Sequence, residues 1–205
     1  VDDNIYAAKE SDLSVLIDNW SKAKTGKAQS LLLTAPFGGG KRAIVSELAR
    51  RANQQNPDTL FFRIAFTDED NGQSALIKLY AGLFQFLHGN LALRGKLEMA
   101  LSSQIPNQTE RVQRWVRSFI EGMKQGAPKM GEVKFQVHLP QDNPLLGFIE
   151  IIHSMAKAFP TILAFQNTHA LHSLPFAAML KALLQESRGV DGLQLLTIVD
   201  MVPLE

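Results

Sequence analysis

The stretch "LLLTAPFGGGKRA", residues 31–43, decides how the chain is read. Its first half completes "SLLLTA", a short apolar run of the kind a strand buried on both faces requires. Its second half is a proline–glycine break that leads directly into "KRAIVSELARRANQQ". There Ile44, Val45, Leu48 and Ala52 fall on one helical face, with Arg50 and Arg51 elsewhere. "NPD" ends that helix, and "TLFFRIAF" (59–66) reads as a second buried strand. Strand, glycine loop, helix, strand is the building block of a parallel sheet with right-handed crossovers.

The pattern extends in both directions. Upstream, "ESDLSVLIDNWSKAK" (10–24) places Leu13, Leu16, Ile17 and Trp20 at helical spacing, with Ser11 or Asp12 available to start the helix. Downstream, "LLGFIEIIHSMAKAF" (145–159) is a helix and "PTILAF" (160–165) a third buried strand. "LPFAAMLKALLQES" is a further helix and "LQLLTIVDM" (193–201) a fourth strand. Between about 67 and 145 the sequence is less orderly. "SALIKLYAGLFQFLHG" and the amphipathic "TERVQRWVRSFIEGMKQG" (109–126) predict helices, and alternation at Val133, Phe135 and Val137 predicts an edge strand or hairpin arm. The whole is a three-layer α/β pattern.

Composition fits one such domain. The 205 residues are 45% hydrophobic and 20% charged, ordinary for a globular protein with a core. A net charge of +1 gives no general drive toward nucleic acid or membrane surfaces. The absence of cysteine excludes disulfides and thiolate metal sites. No apolar run approaches the roughly 18–20 residues of a membrane helix. The acidic, polar "VDDNIYAAKESD" is no signal peptide, so the chain reads as cytoplasmic.

The glycine loop carries the chemistry. Successive backbone N–H groups that wrap an anion need the backbone freedom of glycine, supplied here by Gly38, Gly39 and Gly40. The helix that follows turns its free N–H groups and positive dipole end toward phosphate, and Lys41 supplies a cation. A loop of this kind normally continues with Ser or Thr to hold Mg²⁺, whereas position 42 is arginine, which cannot ligate the metal and repels it. Arg42 can neutralise phosphate charge in the metal's place, so bound nucleotide and a relic loop both remain open. The candidate nucleotide contacts are Pro36, Phe37, Gly38, Gly39, Gly40, Lys41, Arg42 and Ala43.

The third strand offers an independent test. A phosphate-loop hydrolase places acids after such a strand, one to position Mg²⁺ and one to orient water. Here "TILAF" is followed by Gln166 and Asn167, close in size to Glu and Asp but unable to act as bases or to bind Mg²⁺ well. Two separate sites have lost the same function, metal-assisted hydrolysis.

With these segments in order, the chain resembles AAA+ ATPases of the STAND and initiator-like type. "IYAAKESDLSVLIDNW" is similar to their entry segment, with Tyr6, Glu10 and Leu13 matching and Ala8 and Lys9 replacing a Gly-Arg pair. "LLLTAPFGGGKRAIVSELAR" resembles their Walker A segment, and "PTILAFQNTHALHSLPFAAMLKALL" their Walker B strand and next helix. The resemblance covers roughly 5–66 and 145–200. It implies a three-layer P-loop NTPase fold with a mostly parallel sheet of order 5-1-4-3-2, whose fifth strand and helical lid are not visible in the sequence. It also implies ATP or ADP as ligand and, in many members, oligomer-driven signalling. The departures at Arg42 and at Gln166 and Asn167, the last two a degenerate Walker B, argue against Mg²⁺ and against hydrolysis.

The expectation is thus a single AAA+-like domain over 1–205, a fragment of a longer chain, with a helical or irregular insertion at about 67–145. It is a pseudo-ATPase with a regulatory, scaffold or assembly role. Its partner is a protein, a neighbouring domain, an AAA+-type oligomer or an intact homologous subunit, rather than nucleic acid. The alternative is an active ATP-hydrolysing AAA+ protein of the signalling or DNA-associated initiator type. Other clusters have simpler readings. His153, His169 and His172 lack a local carboxylate and read as isolated histidines rather than a metal site. Arg111, Arg114 and Arg117 read as a solvated helix face before they read as a nucleic-acid stripe. The acidic run Asp68, Glu69 and Asp70 reads either as a solvated loop or as a group approaching Lys41 or Arg42.

Overall fold

The computed structural model describes residues 10–34, 40–125, 142–170 and 174–201. The chain runs α1 (Glu10–Lys24), β1 (Gln29–Thr34), α2 (Lys41–Gln55), β2 (Leu60–Ala65), α3 (Gly72–Gly89), α4 (Leu91–Gln104), α5 (Glu110–Gln125), α6 (Pro144–Ala158), β3 (Thr161–Gln166), α7 (Leu174–Glu186) and β4 (Leu195–Met201). The four strands form one sheet of order β1-β4-β3-β2, and each neighbouring pair is parallel. The expected α/β class with a parallel sheet is therefore observed. The Val133–Phe135–Val137 alternation lies outside the described residues.

Strand alternation divides the interior into two layers. Ile162, Ala164, Leu196 and Ile198 face α1 and α2, burying Leu13, Leu16, Trp20, Ile44, Val45 and Leu48. The residues between them, Leu163, Phe165, Leu195 and Val199, join Phe62 and Ile64 on the other face, where α3 to α7 pack. Helices on both faces of a parallel sheet make three layers, and the near-continuous apolar strands β3 and β4 follow from burial on both sides.

β1 departs from its expected burial. Leu31 and Leu33 pack against α1 and α2, but Leu32 on the opposite face is 59% exposed. β1 is the edge of the described sheet, and helical cover there is one-sided among the described residues. An apolar run alone does not distinguish a central strand from an edge strand.

The segment after β2 is more regular than its sequence. Asn71 caps α3 by accepting from the N–H groups of Gln73 and Ser74, and the Asn71 N–H donates back to the Ser74 hydroxyl oxygen, closing a capping box. Tyr80, fully buried, donates to the Pro144 carbonyl at 2.7 Å and so ties α3 to the start of α6. Phe84 stacks on Phe119 of α5 with ring centroids 5.1 Å apart. Sequence reading does not predict α4. Its buried Leu93, Leu97 and Leu101 recur every fourth residue, but Gly95 and the exposed Leu91 and Met99 blur the stripe. No described helix is long and apolar enough to cross a membrane.

Candidate functional site

The topology places a crevice before any side chain is considered. The β1–α2–β2 connection runs along the sheet from β1 past β4 and β3, with α2 on the α1 face. The connections from β2 to β3 and from β3 to β4 run the opposite way, with their helices on the other face. Right-handed crossovers require this reversal. Chain leaving the C-terminal end of β1 therefore goes to one face and chain leaving β3 goes to the other. Ligands of open α/β sheets bind at such a switch point.

The N-terminus of α2 stands at this point. Gly40 precedes it with φ 72°, a left-handed conformation that glycine adopts without the strain of a Cβ. Gly40 as N-cap has no side chain with which to cap the helix, and the first turn holds no acid. It instead begins Lys41-Arg42, two cations at the positive end of a helix dipole, where anions are the favoured company.

One anion comes from the protein itself. Asp200, near the end of β4, is 3% exposed, and its Oδ1 lies 3.3 Å from Lys41 Nζ. The contact is an ion pair, and Oδ1 has no hydrogen-bond partner of good geometry. Asp200 belongs here because it continues the Leu196–Ile198 face toward α2 and pairs in register with Leu33, beside the end of β1. Gln166 lies at the corresponding place on β3, since Phe165 pairs with Val199 and Gln166 continues the Ile162–Ala164 face. Its side chain is buried at 2% exposure, and its Nε2 donor has no partner.

Asn167 does something different. Its backbone takes φ 56°, which asparagine tolerates better than most residues, and its Nδ2 donates to the Phe66 carbonyl at 3.2 Å. It thus ties the end of β3 to the chain leaving β2. The Thr168 hydroxyl donates to the Asp200 carbonyl at 2.9 Å and holds the neighbouring strand end.

Of the sequence-nominated loop, Gly40, Lys41, Arg42 and Ala43 are described, with Arg42 and Ala43 exposed. Pro36, Phe37, Gly38 and Gly39 lie outside the described residues. Lys41 meets Asp200, and Gln166 lies at the corresponding place on the neighbouring strand, whereas Asn167 turns its amide toward the chain leaving β2. Sequence reading overlooked Asp200 as a partner of Lys41. The available signal was a carboxylate placed two residues after Ile198 in an otherwise apolar buried strand, where an unpaired charge is too costly to leave.

The other candidates resolve locally. Asp70 accepts from Lys78 Nζ at 2.5 Å, the Thr67 N–H and the Ser74 hydroxyl. Burial pushes its carboxyl up, but Lys78 and these donors outweigh it and hold the group below its ordinary value. Of the acidic run, Asp70 is therefore engaged at the start of α3, and Asp68 and Glu69 are exposed. Arg111 lies 3.2 Å from Asp142 and 4.7 Å from the Trp115 ring centroid. Among the described residues no cluster of three or more His, Asp or Glu could hold a metal ion. His153 Nε2 is 3.0 Å from the Ser187 hydroxyl oxygen, but that hydroxyl donates to the Leu183 carbonyl at 2.5 Å. With its proton committed there, Ser187 accepts from His153, the reverse of a base activating a nucleophile. Burial, aided by Lys157, lowers the His153 pKa to about 4 and keeps the ring neutral.

No family model, curated protein or solved structure matches this chain.

Proposed function

We propose that the chain is a degenerate P-loop domain of the AAA+ kind that binds a phosphate-bearing ligand, ATP or ADP, without hydrolysing it, and serves a regulatory or assembly role. The observation that carries the reading is the α2 N-terminus at the switch point, opened by a left-handed Gly40 and carrying Lys41 against a buried carboxylate. The order β1-β4-β3-β2 is compatible with the 1-4-3-2 run of a 5-1-4-3-2 sheet. The exposed Leu32 on β1 lies along the edge where the fifth strand would pair. Arg42 in place of a hydroxyl and the amide of Gln166 in place of an acid support binding without metal-assisted hydrolysis.

Calorimetric titration of ATP and ADP, with Mg²⁺ and with EDTA, tests the proposal. Binding that persists in EDTA and disappears in Lys41→Ala supports it. No heat of binding for either nucleotide at millimolar concentration refutes it. A second reading, an active ATPase, draws on Asp200, a buried acid at the crevice that could stand in for the lost acids on β3. It requires Mg²⁺-dependent turnover abolished by both Lys41→Ala and Asp200→Asn.

A further inference from the structure

We infer that Asp200 is a built-in competitor for Lys41, so that a diphosphate group binds the α2 N-terminus only by drawing the lysine away from this carboxylate. The inference rests on the phosphate-binding reading above and adds its regulation. Lys41 Nζ approaches Asp200 Oδ1 at 3.3 Å, with both side chains largely out of solvent. The α2 first turn offers no acid of its own, and Asp200 sets a carboxylate against this end of the helix. An incoming phosphate would carry the same charge to the same lysine and the same N–H groups, at close range to a buried carboxylate. The two anions oppose each other. Gln166 Nε2, buried on the same face of the sheet and without an acceptor, is a donor suited to an anion of either origin.

This competition gives a specific sign to one substitution. Were Asp200 merely orienting Lys41 for a ligand, removing its charge would weaken binding. As a competitor, its neutralisation strengthens binding. Affinities of wild type, Asp200→Asn and Lys41→Ala for inorganic pyrophosphate and for ADP are measured by calorimetry in EDTA. Asp200→Asn is expected to bind both probes at least tenfold more tightly than wild type, by a similar factor, because the phosphates are the shared part. Lys41→Ala is expected to bind neither.

Equal or weaker binding by Asp200→Asn, or a gain seen with ADP alone, overturns the competition. The phosphate-binding reading survives that result if wild type binds and Lys41→Ala does not. Absence of binding in all three proteins defeats both. Should Asp200→Asn fail to fold, wild type alone still decides. Saturating pyrophosphate must shift the Asp200 side-chain carboxylate carbon resonance in labelled protein, and an unmoved resonance alongside measured binding refutes the exchange.

Discussion

The Lys41–Asp200 pair should make a measurable, non-additive contribution to stability. At 3.3 Å and an effective dielectric of about 20, opposite unit charges attract by about 5 kcal/mol, and in bulk water by about 1 kcal/mol. The exposures, 13% for the lysine side chain and 5% for the aspartate, put the pair nearer the buried limit. Lack of good hydrogen-bond geometry at Oδ1 pulls the coupling down, to about 2 kcal/mol. The single substitutions differ in kind. Lys41→Met leaves a carboxylate buried without its cation, which costs about 3–5 kcal/mol. Asp200→Asn leaves a lysine whose long stem can reach water, at a cost of about 1 kcal/mol. The double variant should recover about 2 kcal/mol relative to the sum. Urea unfolding of all four proteins in phosphate-free buffer measures the cycle. Singles that add to within about 0.5 kcal/mol would show that the two charges do not sense each other.

Three further outcomes follow from other parts of the fold. His153 has its pKa lowered from 6.5 to about 4, so the unfolded chain takes up the proton first as pH falls. Stability is therefore full above pH 6.5 and declines by up to about 3 kcal/mol as pH falls toward 4, and His153→Gln should flatten the decline in urea melts across that window. Glu47 is held down to about 2, first by its hydrogen bond to Arg50 and then by Arg51, so its contribution is present above pH 4.5 and lost below it. Glu47→Gln should remove that part of the acid sensitivity, and added salt should diminish the wild-type effect, since Arg50 is exposed. Gly26 has φ +83° and a Cβ there would meet Gly192 Cα at 2.9 Å, whereas Gly192, at φ +75°, has open space. Gly26→Ala should cost about 2–3 kcal/mol and Gly192→Ala only about 1 kcal/mol in the same assay, and equal costs would refute the close-approach argument.

Sequence pattern located the elements that own their pattern locally. The α2 helix begins at Lys41 and ends at Gln55, as its apolar spacing and flanking breaks predict, and α1 matches its predicted 10–24 span. β3 and β4 were legible because burial on both faces leaves little but apolar residues. Strand order was not legible from pattern, because it depends on pairing between strands distant in sequence, and only the resemblance implied one. For the same reason β1 read as buried on both faces although it lies at the edge of the described sheet. The site was legible in half. Gly40 and Lys41 announce themselves through loop chemistry, but Asp200 follows Lys41 by more than 150 residues and meets it only because β4 inserts between β1 and β3.

That insertion also bears on the amides at the end of β3. In a parallel sheet, the last inward residues of adjacent strands present to the same helix terminus at nearly the same height. Gln166 and Asp200 occupy two such neighbouring places on the α2 face. The amide at one removes charge from the crevice and the carboxylate at the other restores it, one strand closer to β1. A metal-binding centre would gain from both positions being acidic, because a divalent ion needs charge and open oxygen ligands. A site with one carboxylate already drawn onto a lysine is matched in charge without a metal. On the competition proposed above, an anion reaches Lys41 only if that pair separates. The positions of Asp200 and Arg42 therefore favour a centre whose state depends on which anion holds Lys41, rather than one lacking parts of a hydrolase.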